Sequence, residues 1–153
     1  MANFRFRAQV ALDLRREQDE EAQRALGAAR QSRVAAERLL EHEQRTLADG
    51  HARASLEEAR GWDASRVVWY RNWMKRQQQV IAASKAALDA RCQEELAAAE
   101  RAMDARRRVR ALELLRDRAW KTFQVAERRS EQKEFDVLGG LRFVARREAP
   151  EGV

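Results

Sequence analysis

Proline is almost absent from this chain: the single copy, Pro150, follows 149 residues in which nothing forbids long uninterrupted helices. One cysteine, Cys92, excludes an internal disulfide. No apolar stretch approaches the roughly 18 residues that a membrane span needs. The opening "MANFRFRAQ" lacks the continuous apolar segment of a signal peptide, so a reducing cytoplasm is expected. The two histidines, His42 and His51, are read as solvated surface groups rather than metal ligands, and Cys92, with no histidine nearby in the sequence, as a passive thiol. Gly139-Gly140 lacks the Lys-Ser or Lys-Thr that would make it a phosphate loop. No catalytic residue, metal site or cofactor is therefore expected.

Arg, Glu, Ala, Leu and Gln dominate instead. Of the 153 residues 37% are charged, and the mean hydropathy of −0.76 leaves too little apolar material for an ordinary globule. This is the composition of a coiled coil. The net charge of +6 is unevenly placed: residues 1–50 carry nine basic and nine acidic side chains, whereas residues 101–153 carry fourteen and nine. Within the basic third, Arg106-Arg107-Arg108 and Arg110 could neutralise phosphates. Asp104, Glu113 and Asp117 flank them without any aromatic platform, so a solvated helix face is expected; an acidic protein surface or nucleic acid is the alternative.

Apolar residues recur at three and four along the first arm, from Ala22, Leu26 and Ala29 to Ala36, Leu40 and Leu47, with Arg33 and Glu43 as interruptions. A steadier stripe starts at Val67 and passes through Tyr70, Met74, Ile81, Leu88, Ala98, Ala102, Val109, Leu112 and Phe123 to Ala126; Gln77, Ser84, Arg91, Glu95 and Arg116 interrupt it. Between the stripes, Gly50 is a predicted helix stop, Ser55-x-x-Glu58 has the form of a capping box, Gly61 closes a short helix, and Asp63 or Ser65 caps the next one. The spacing predicts an all-α fold, a long antiparallel two-helix coiled coil. It forms a single hairpin over residues 1–153, with helices at about 5–49 and 66–138, a hinge at 50–65 and a tail at 139–153. The second helix is expected to stop at Gly139-Gly140, about 110 Å long at 1.5 Å per residue.

A turn near residue 57 would set Arg5 close to Val109, so that everything from about Arg110 to Leu138 overhangs the first arm. An apolar stripe without an intramolecular partner there needs another molecule. Three of the four tryptophans, Trp62, Trp69 and Trp73, fall beside the only tyrosine, Tyr70. Trp69, Trp73 and Val80 are displaced by one residue, about 100°, from the seam of Tyr70, Met74 and Ile81. They either wedge the hairpin end open and cover the hinge or form an exposed recognition patch, the reading that Trp and Tyr at interfaces favour.

Two stretches resemble the FliJ family, the coiled-coil component of the bacterial flagellar export apparatus. "FRFRAQVALDLRREQDEEAQRAL", Phe4 to Leu26, is similar to the family opening, in which Phe-x-Phe-Arg leads into an apolar turn and then Leu-Arg with acidic residues. "RRSEQKEFDVL", Arg128 to Leu138, is similar to its Arg-x-Glu-Gln-Lys followed by an acidic position. The Trp-rich middle departs from any strict family pattern. The resemblance implies a non-enzymatic stalk, placed in the hexameric export ATPase ring and associated with the cytoplasmic domain of the export gate FlhA and with export chaperones. By position, Phe4, Phe6, Val10, Leu14, Phe123, Phe135 and Leu138 would meet the ATPase. Leu40, Leu47, Trp69, Trp73, Gln77 and Val80 would meet the gate. The hairpin reading expects an elongated monomer, and the residues themselves argue against nucleic acid and direct membrane insertion; the resemblance further implies peripheral association with the inner-membrane export apparatus, serving flagellum biogenesis, motility and chemotaxis. The alternatives are the equivalent stalk of an injectisome secretion system and a structural coiled coil that self-associates.

Overall fold

The long helices permitted by this composition are present. A computed structural model describes residues 3–148, which form α1 (Gln9–Glu58) and α2 (Ala64–Glu148), packed against each other as an all-α hairpin. Gly61, with φ of 95°, ends α1: its N–H donates to the Glu58 carbonyl at 3.0 Å, closing the last turn in the left-handed conformation that glycine adopts without steric cost. Asp63 then caps α2. Its carboxylate accepts from the Arg66 N–H at 2.8 Å and from the Ser65 hydroxyl at 3.1 Å, which together hold its pKa below the usual carboxylate value, the Arg66 bond being the larger cause.

The helix limits differ from the expected ones at three places. Gly50 does not stop α1: it takes no positive φ, and its lack of a Cβ instead makes room for the Trp73 ring, which a Cβ would overlap. Ser55 is not a cap; it sits within the last turns of α1 and donates back to the His51 carbonyl at 3.1 Å. Gly139-Gly140 does not stop α2, which runs on through the tail to Glu148: neither glycine takes a positive φ, and no proline follows before Pro150. Two glycines cost a helix about 1 kcal/mol each relative to alanine, which does not by itself end one.

The hairpin divides into two contact units, Gln18–Ala105 and Met1–Glu17 with Arg106–Val153. In the first, Leu26 packs with Ala98 and Ala102, surrounded by Ala22, Ala29 and Ala99. The core is thin, since alanines bring helices close while burying little area, and the single leucine supplies about 1.5–3 kcal/mol. Each of two interruptions in the α1 stripe meets one in the α2 stripe: Arg33 pairs with Glu95, and Gln77 donates to the Glu43 carboxylate at 2.6 Å and to its backbone carbonyl at 3.2 Å. Arg30 adds a second contact to Glu95 at 3.5 Å. The hydrogen bond to Glu95, more than that to Glu37, raises the Arg33 pKa.

In the unit that holds both ends of the chain, Leu12 is fully buried and Val109 nearly so, and Arg16 meets Glu113 at 3.2 Å. Phe4 reaches Trp120 (ring centroids 5.0 Å apart) and Phe123 (5.5 Å). The expected register is therefore corrected. With the turn centred near Gly61 rather than residue 57, the first arm covers α2 as far as Phe123, and the overhang begins later, at Arg128, from which every side chain to Arg147 is exposed.

Candidate functional site

Near the hinge an open groove of about 650 Å³ is lined by both helices. Its floor is Thr46, Gly50 and Ala54, a run of small residues at the helical spacing of four that leaves room for rings from α2. Tyr70 stacks on Trp73 (5.8 Å, 26° between planes), Trp62 meets Tyr70 edge-on at 5.4 Å, and Trp69 completes the wall. Arg53 and Arg66 line it alongside Asp49 and Glu57, with Arg66 and Glu57 3.7 Å apart. The Tyr70 hydroxyl is 2.6 Å from His51 Nδ1, and the Trp62 indole N–H is buried with no partner.

The expected gate-facing residues separate by exposure. Trp69 is 62% exposed and Val80 43%, whereas Trp73, on the same helix face, is half-buried against Gly50. Leu40 and Leu47 are half-buried on α1, and Gln77 is held in the seam by Glu43. Along the aromatic stripe Trp73 fills the hairpin, whereas Trp69 stands out from it. Trp62, Tyr70 and Gly50 belong to the same cluster but were not among the expected site residues. The small spacing Thr46, Gly50, Ala54 is the sequence signal that could have placed them.

The expected ATPase-facing residues also fall into two groups. Phe4, Phe6 and Phe123 are half-buried, with Phe4 packed on Trp120 and Phe123, while Val10 is 82% exposed, Leu14, Phe135 and Leu138 are over half exposed. Leu12, between Val10 and Leu14, is the residue that turns inward. Farther along α2, Arg106, Arg107, Arg108 and Arg110 are exposed, and Arg110 lies 3.8 Å from Glu113. Cys92 is half-buried. Among the described residues no group of three His, Cys, Asp or Glu side chains could hold a metal ion, and no helix is long and apolar enough to cross a membrane.

No curated protein and no solved structure matches the chain. The model of one family, described as Flagellar FliJ protein, matches residues 5–148, and so covers both helices and the turn that joins them. A match of that extent, over both helices of an all-α hairpin, identifies the chain as a member of the FliJ family of flagellar export components.

Proposed function

We propose that the chain is a non-enzymatic bridge in flagellar protein export, binding the hexameric export ATPase through one contact unit and the cytoplasmic domain of the export gate FlhA through the other, and assisting the traffic of export chaperones. The observation that carries this reading is the exposure of Trp69, the most exposed tryptophan, with Val80 exposed about three turns farther along the same face of α2. Exposed tryptophan is costly to leave in water and is enriched where interfaces concentrate their binding energy. Leu40 and Leu47, on α1 of the same unit, extend the gate-facing set. The ATPase-facing set is the exposed Val10, Leu14, Phe135 and Leu138 with the half-buried Phe4, Phe6 and Phe123, of which Phe4 and Phe123 share a ring cluster with Trp120. Coupling between ATPase and gate requires contacts that differ between two states of the gate, which a bridge can bias without any chemistry of its own. In this role the chain is cytoplasmic, monomeric and held at the inner membrane by its protein partners.

The test is a binding measurement of the purified chain against each partner. Trp69→Ala with Val80→Ala removes exposed side chains only, so helicity stays unchanged while affinity for the gate domain falls by more than about 1 kcal/mol, the scale of an interface hot spot. Unchanged gate affinity in that variant would remove Trp69 and Val80 from the interface.

A further inference from the structure

The four aromatic rings of the hinge groove are unequally engaged. Tyr70 joins three of them: it stacks on Trp73 (5.8 Å, 26° between planes), takes the Trp62 ring edge-on at 5.4 Å, and places its hydroxyl 2.6 Å from His51 Nδ1. It thereby ties α2 to the turn through Trp62 and to α1 through His51. Trp69, the residue just before it, lines the same groove, yet among the described residues it makes no ring contact and is 62% exposed. Spacing alone does not leave it so. Trp69 and Trp73 are four residues apart, neighbours on one helix face, where two indoles can cover each other's apolar area. Instead the Trp73 ring turns toward α1, with Gly50 admitting its edge and Tyr70 stacked on its face.

We propose that Tyr70 is the positioning residue of the gate contact, holding Trp62 and Trp73 off Trp69 so that the Trp69 ring stays free for the partner. The inference rests on the proposed gate role of Trp69 and adds to it a residue that need not touch the gate. Its physical basis is competition for apolar cover. An indole in water gains by packing on any ring within reach. Without Tyr70, Trp62 and Trp73 each lose a ring partner in a groove where Trp69 has none. Collapse of either onto Trp69 buries the surface that the gate would cover, and the gate must undo that packing before it binds. Tyrosine suits this position because its ring meets one indole by its face and another at an edge, while its hydroxyl finds a polar partner in His51.

The test uses the full chain labelled with fluorotryptophan, each fluorine resonance being assigned by substituting that tryptophan with phenylalanine. The solvent isotope shift of the Trp69 resonance reads its exposure. Tyr70→Leu keeps an apolar side chain in the seam and removes the ring, so helicity and ATPase affinity should stay unchanged. The Trp69 isotope shift should fall, and gate affinity should drop about tenfold, the scale of an interface hot spot. Tyr70→Phe keeps both ring contacts and loses only the His51 bond; it should retain the Trp69 shift and lose at most about threefold in gate affinity, the scale of one hydrogen bond. An unchanged Trp69 shift in Tyr70→Leu would overturn the proposal, whatever the gate affinity. Equal effects of Tyr70→Phe and Tyr70→Leu would also overturn it, since the rings would then not be what holds Trp69 free. A Trp69 that becomes covered in Tyr70→Leu with no change in gate affinity would uphold the positioning by Tyr70 and refute the gate role of Trp69 instead.

Discussion

Gly50 and Trp73 show how one small residue can decide the course of a helix. In an exposed helix Gly→Ala normally stabilises by about 1 kcal/mol. At Gly50 the sign should reverse, because the new methyl group competes with the Trp73 ring, and overpacking costs about 1–3 kcal/mol. Thermal unfolding of Gly50→Ala is expected to show a lowered Tm in the wild-type background and a raised one in a Trp73→Ala background; a lowered Tm in both would disprove the contact. Asp63 offers a test by pH. Its folded pKa is depressed below the ordinary 3.8, so its contribution to stability is present above that value and is lost as pH falls through the folded pKa. Asp63→Asn keeps a competent cap without the titration, and melts below pH 4 should depend less on acid than those of the parent chain, with equal dependence counting against the cap.

At the scale of the elements, an alanine-lined seam gains little from any one contact, so its few large residues matter disproportionately. Leu12→Ala should cost about 2–5 kcal/mol, and Val10→Ala, two residues away and 82% exposed, less than about 0.5 kcal/mol. Urea titration distinguishes them, and equal losses would show that the first turn of α1 packs otherwise. Polar pairs add selectivity to this seam. Replacing Arg33 and Glu95 together by leucine should preserve or raise Tm yet let the chain self-associate in sedimentation, since the pair excludes other registers; a strictly monomeric variant would remove that role. Both stripes, the hairpin and the Asp63 cap were legible in the sequence because three-four periodicity and capping are local signals. The register was not, because it hinges on Gly50, and a glycine that seats a distant ring reads locally like a glycine that ends a helix. The interruptions Arg33, Glu43, Gln77 and Glu95 were legible as breaks, but their pairing required knowing which residues face each other. In the candidate site the periodicity grouped Trp69 with Trp73, while their different burial follows from the partner helix.

At the scale of the whole molecule, a thin core coexists with generous exposed apolar surface. Such a chain is expected to sediment as a monomer that remains helical without partners, since its helices already bury their seams against each other. Its unsatisfied surfaces fall in both contact units, which is what a bridge needs and what a self-contained structural rod does not. Bridging is the central claim, and simultaneous occupancy tests it most directly. With the FlhA cytoplasmic domain immobilised, the export ATPase should be retained only when the chain is added, and Trp69→Ala/Val80→Ala or Phe135→Ala/Leu138→Ala should each abolish retention while leaving the other binary contact intact. If the gate domain and the ATPase instead compete for the chain, so that either one displaces the other, the two surfaces are a single site and the chain is not a bridge.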